Sequence, residues 1–152
     1  MSDTVSYLMT PNPVCVPTDA TLVHAAEQMR DHNIGDVLVV SGRTLQGIIT
    51  DRDLVVRGLA LHADPLATTV GTLCTTSPAV LEPDQPVEIA VEMMRDLGVR
   101  RLPVCDAHGT PVGILSLGDL AVERDPDSAL ADISASPPPS ERIPRCADSC
   151  AT

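Results

Sequence analysis

A mixed α/β (α+β) fold is predicted, with two β-α-β-β-α repeats packed sheet to sheet about a pseudo-two-fold axis. Three observations predict it. First, the chain of 152 residues repeats itself at an offset of 65: Leu8 matches Leu73, Thr10 Thr75, Pro13 Pro78, Asp19 Asp84 and Ala25 Ala90. The set Glu27, Met29, Arg30 and Asp31 recurs as Glu92, Met94, Arg95 and Asp96, and after one inserted residue Gly47–Leu54 matches Gly113–Leu120. Second, within each copy the apolar period switches from helical to extended in the same order. Third, neither copy has enough apolar surface to stand well alone, so the two should share a core.

The elements follow from local chemistry. Pro13-Val14-Cys15-Val16-Pro17 reads as a short extended segment bounded by prolines. Thr18–Thr21 supplies N-cap groups, and Leu22, Ala25, Ala26 and Met29 form one helical stripe ending near His32-Asn33. Val37–Val40 is a buried strand, Ser41-Gly42-Arg43 the turn, and Gly47–Thr50 the returning strand. Thr50 or Asp51 caps a second helix through Leu54, Val55 and Leu59. In the second copy Val80-Leu81 is extended, and Val87, Ala90, Val91 and Met94 form the stripe. Leu102–Cys105 is a strand whose Pro103 suggests a sheet edge; Asp106–Gly109 turns, Gly113–Ser116 returns, and a helix runs through Leu120. The repeats are taken as residues 4–62 and 63–124. Residues 125–152, polar and rich in Pro and Ser without periodicity, are expected to be a disordered tail.

Composition narrows the function classes. A net charge of −11 opposes nonspecific nucleic-acid binding, and one aromatic residue, Tyr7, leaves no platform for stacked bases. No apolar run is long enough to span a membrane, and the N-terminus lacks the pattern of a signal peptide, so a cytoplasmic protein is expected. Cys15, Cys74 and Cys105 sit in or beside apolar runs and read as small buried hydrophobes. Cys146 and Cys150, spaced C-x-x-x-C without a nearby His, read as a tail thiol pair in preference to a metal site.

The repeated polar punctuation carries the functional signal. Thr50-x-x-Asp53 and Ser116-x-x-Asp119 each stand where a strand passes into a helix. There the unpaired N–H groups and the helix dipole favour an anion such as a phosphate. The hydroxyl can donate to a phosphate oxygen, and an aspartate one turn on can accept from the two vicinal hydroxyls of a ribose. A single copy would read as an N-cap with an acidic first turn. The same spacing kept in both copies points to a duplicated site.

Gly-Ile-Ile-Thr-Asp-Arg-Asp (47–53), Val-Arg-Arg-Leu-Pro-Val (99–104) and Gly-Ile-Leu-Ser-Leu-Gly-Asp (113–119) resemble the hallmarks of tandem CBS domains, the cystathionine-β-synthase-type pair. The stretch 50–60 further resembles small stand-alone bacterial pairs of the hypoxic response type. The similarity covers roughly residues 4–124. It implies AMP, ADP, ATP or S-adenosylmethionine as ligand in inter-repeat clefts, with no covalent cofactor. It also implies a homodimer and a regulated protein partner. Under it, Asp53 and Asp119 hold ribose hydroxyls, while Thr50 and Ser116 contact phosphate. Thr50 and Asp53 would face Val80, Val99, Arg100 and Arg101; Ser116 and Asp119 would face Val14, Cys15, Ile34, Gly35 and Asp36. Arg100 and Arg101 suit a phosphate, or are solvated charges beside an edge strand. Asp36 in the other cleft would repel one.

The competing reading is a stress-response interaction platform, dimeric, that binds no nucleotide. Its metal- or thiol-linked candidates are Cys15, Cys74, Cys105, His24, His32 and His62, with the histidines placed on helices without i, i+4 pairing. No catalytic constellation converges on one motif, so neither an enzyme nor a metal centre is expected.

Overall fold

The computed structural model describes residues 3–136; the Cys146 and Cys150 reading lies outside them. The chain divides into two compact units, residues up to Leu117 and residues from Gly118 onward.

The first unit opens with a short helix α1 (Val5–Leu8) and strand β1 (Thr10–Pro11), then β2 (Cys15–Pro17), α2 (Leu22–His32), β3 (Asp36–Ser41) and β4 (Thr44–Thr50). One turn of α-helix, α3 (Asp51–Asp53), leads into a π-helical segment, Leu54–Gly58, and a 3-10 turn, Leu59–Leu61. The pattern then repeats as α4 (Val70–Leu73), β5 (Thr75–Thr76), α5 (Val87–Leu97), β6 (Arg101–Cys105) and β7 (Pro111–Ser116). The counterpart of β2 shrinks to a single parallel bridge from Leu81 to Val104.

Two sheets result, ordered β2-β3-β4-β5 and β1-β7-β6. Their membership shows an exchange: β1, from the start of the chain, pairs with β7 of the second repeat, while β5 pairs with β4 of the first. The registers are equivalent, Thr10 opposite Ile114 and Thr75 opposite Ile48. The short helices cross over in the same way. Val5 N–H donates to the Gln85 carbonyl, and Val70 N–H donates to the Ala20 carbonyl.

Close approach at these crossings requires glycine. A Cβ on Gly47 would come within 2.6 Å of the Thr75 carbonyl oxygen, and one on Gly113 within 2.9 Å of that of Thr10. No real Cβ tolerates such distances, so the two glycines admit the exchanged strands.

Burial follows the helical stripes except at Ala26 and at Val91, which is only partly buried. Leu22, Ala25 and Met29 of α2, and Val87, Ala90 and Met94 of α5, are buried, whereas Ala26 faces solvent. Thr21 caps α2 by accepting from His24 N–H, and Asn33 and Gly98 close the two helices in left-handed conformation, at φ 57° and 65°. The first core joins Val16, Leu22, Ala25, Met29, Val37, Val39 and Ile49 to Val70 and Cys74 of the exchanged segment. Leu38 and Pro103 alternate to the other face of their strands and are just as buried, so β3 and β6 are each covered on both sides. β6 is indeed the last strand of its sheet, and the Pro103 carbonyl accepts from Leu81 N–H.

The second unit holds most of α6 (Leu117–Arg124) and a further helix, α7 (Ala129–Ala135), with Leu120 and Ala131 buried. The expectation of a tail without structure from residue 125 therefore needs correction up to residue 136. Ser128 caps α7 by accepting from Ala131 N–H at 3.1 Å, and its own hydroxyl donates to the Asp125 carbonyl. Proline-rich composition hid a seven-residue helix that lies just before the prolines.

Candidate functional site

β4 ends at Thr50 because its N–H and hydroxyl turn to serve the next helix. Thr50 Oγ1 accepts from Asp53 N–H at 3.1 Å, and Asp53 Oδ2 accepts from Thr50 N–H at 2.9 Å. This is a reciprocal capping box, so the local reading of Thr50 and Asp53 as cap residues is realised. The box also orients the carboxylate. Asp53 Oδ1 lies 3.6 Å from Arg57 Nε one turn on, and that guanidinium donates to the Leu73 carbonyl at 3.1 Å. Arg57 thus links the candidate ribose acceptor to the exchanged segment. The i, i+4 spacing of Asp53 and Arg57 was a signal the sequence reading did not use.

Beside this turn lies a cleft of about 1090 Å³. On one side it is lined by Ile48 and Thr50–Asp53, on the other by Leu97–Leu102, with Thr75 and Ser77–Ala79 between them. Thr50, Asp53, Val99, Arg100 and Arg101, far apart in sequence, therefore meet in one place. Arg52 joins them and was also missed. Val80 follows the lining segment and is not part of it.

Arg101 and Asp36 require a correction. They were placed in separate clefts, but Arg101 Nε lies 3.2 Å from Asp36 Oδ1. Asp36 begins β3 opposite Thr50, and Arg101 begins β6 opposite Ser116. Only 7% of the Asp36 side chain is exposed, and its Oδ2 is buried without a hydrogen-bond partner. Burial pushes its carboxyl above the ordinary value; Arg101 pulls it down, and Asp51 adds to the rise. The charged form is thus held under a penalty that the single ion pair does not cancel.

The remaining expected residues are more dispersed. Val14, Ile34 and Gly35 are partly buried and Cys15 is exposed. The Gly35 carbonyl accepts from Asp51 N–H, and the Arg100 carbonyl from Leu117 N–H. Ser116 closes β7 in the first unit, and Asp119 stands in the first turn of α6 in the second.

Cys74 and Cys105 are buried as expected, but Cys15 is not. Desolvation pushes all three thiols up, which disfavours thiolate chemistry. His24 and His32 lie on α2, whereas His62 is a left-handed residue at φ 59° after the 3-10 turn, off the helix. Among the described residues no three His, Cys, Asp or Glu side chains gather as a metal site would require. No helix among them is long and apolar enough to cross a membrane.

Two short sheets that exchange strands, with a cleft between a hydroxyl-to-aspartate turn and a distant arginine strand, define a duplicated α/β fold. The chain belongs to the CBS domain family, which it matches over residues 5–58 and 70–124. It is 36% identical over 134 residues to the CBS domain-containing protein YhcV of Bacillus subtilis, covering 86% of this chain and 94% of that protein. It is 34% identical over 119 residues to hypoxic response protein 1 of Mycobacterium tuberculosis, covering 78% and 82%. The crystal structure of Hypoxic Response Protein I with two coordinated zinc ions matches at 33% identity and a TM-score of 0.72, covering 80% of this chain and 98% of that one. The crystal structure of CBSX2 in complex with AMP matches at 30% identity and a TM-score of 0.68, with the same coverage.

Proposed function

We propose that this CBS pair is a non-catalytic regulatory module that binds an adenosine-containing nucleotide in the cleft beside Thr50. The observation that carries the reading is the meeting of Thr50 and Asp53 with Val99, Arg100 and Arg101 across one cleft. In this reading Asp53 accepts from the ribose hydroxyls, while Thr50, Arg100 and Arg101 meet phosphate. Ile48, Ala79 and Leu102 offer an apolar seat for a base. CBSX2, which binds AMP, supports the ligand class at 30% identity. Within a Debye length of about 8 Å the local arginines outweigh the net negative charge of the chain. We further propose a cytoplasmic homodimer that conveys occupancy to a protein partner.

The second turn, which begins at Ser116, differs from the first in charge. At the offset of 66 its counterpart to Arg57 is Glu123, an acid where the first copy has a cation.

Calorimetric titration with AMP, ADP, ATP and S-adenosylmethionine tests the reading, with Asp53→Asn and Asp119→Asn as controls. Saturable binding weakened about tenfold or more by Asp53→Asn is the expected result. The zinc ions of Hypoxic Response Protein I favour a second reading, a metal-responsive platform. A zinc-dependent change of mass in a protein that gives no heat with any nucleotide would support it instead.

A further inference from the structure

Asp36 and Arg101 are the same position in the two repeats, separated by the offset of 65. Identical residues there would oppose like charges or two neutral groups; this chain carries opposite charges and joins them at 3.2 Å. The two partners differ in freedom. Arg101 has 46% of its side chain exposed and lines the cleft, whereas Asp36 is enclosed at the start of β3. One of its oxygens has no partner at all. The charged groups acting on Asp36 are Arg101 from β6 and Asp51 from α3, and the second repels it.

We propose that Asp36 is a built-in competitor for the ligand's phosphate, holding Arg101 while the cleft is empty and yielding it when an anionic ligand enters. This inference rests on the nucleotide reading of the cleft and sets its selectivity for charge. When Arg101 turns to a phosphate, Asp36 loses its ion pair in a buried setting, and its carboxylate takes one proton from solvent. Burial already favours the protonated form. Phosphate binding is thereby opposed at high pH and eased as pH falls.

The test compares AMP with adenosine, which offers the same base and ribose without a phosphate. In Asp36→Asn, AMP should bind about fivefold more tightly and adenosine within about twofold of the parent, as expected for releasing a partly exposed ion pair. The ratio of variant to parent affinity for AMP should fall toward one on acidification, as the parent's Asp36 takes its proton. Taking both at each pH cancels the titration of the phosphate itself. Asp36→Ser serves as a second neutral variant, and thermal unfolding confirms that each is folded. Binding of AMP by the variants but not by the parent would also support the inference. Equal effects on AMP and adenosine, or none, would overturn it and leave the nucleotide reading standing. No binding of either probe by any of the proteins would remove both.

Discussion

Asp53 uses one carboxylate for two purposes, closing the capping box through Oδ2 and facing Arg57 through Oδ1. The two roles separate by mutation. Thr50→Ala removes a cap and should cost about 1 kcal/mol in urea unfolding. Asp53→Asn keeps size and capping geometry but loses a charged acceptor, so AMP affinity should fall about tenfold or more. Unchanged affinity would mean that Asp53 serves the helix alone. Asp36 makes a stability prediction of opposite sign to an ordinary salt-bridged carboxylate. Its pKa is raised in the fold, so it favours folding below its unfolded value and opposes it as pH rises through the folded one. Asp36→Asn should therefore unfold at higher temperature than the parent at about pH 8, with the gap closing toward about pH 4. A variant less stable at pH 8 would show that pairing with Arg101 outweighs desolvation.

At the scale of elements, the exchanged strands depend on two glycines more than on their own sequences. β1 and β5 have two residues each, too few to hold a register without the surface they lie on. Gly47→Ala and Gly113→Ala should each cost about 1–3 kcal/mol by overpacking, read from chemical denaturation. Gly42→Ala isolates the conformational cost, because nothing surrounds its Cβ but its φ is 63°; about 1–2 kcal/mol is expected. The helical stripes, the hairpin turns and the Thr50 cap were legible because each is written in nearby residues. The π-helical passage at Leu54–Gly58 was not, since nothing in its composition separates it from an ordinary α-helix. Helix α7 was missed for a different reason: its capping serine, Ser128, lies in a polar segment that suggested disorder.

Within the first unit, the exchange makes each repeat incomplete without the other. Val70 and Cys74 complete the core of the first repeat, and Val5 is bonded to Gln85 in the second. Deleting residues 3–11 should expose the edge of β7 and remove Val5, whose burial is worth about 1.5–3 kcal/mol. The shortened chain should then show loss of protection from hydrogen exchange concentrated in β6 and β7. Protection that falls evenly across both sheets would mean the repeats unfold as one cooperative body.

The sequence by itself determined the duplication, the order of the long helix and the hairpin that follows it in each repeat, the hydroxyl-aspartate turns and the family resemblance. Each depends on residues that are close in the chain or related by one offset. Only the tertiary structure decided which segments cross to the other repeat, that Arg57 reaches the exchanged strand, and that Arg101 and Asp36 form a pair instead of serving separate clefts. Those outcomes depend on distances between residues 18 to 104 positions apart, and no local propensity carries that information. A pseudo-two-fold axis brings equivalent positions together, so a charge that looks like site chemistry in one copy becomes the partner of its counterpart in the other.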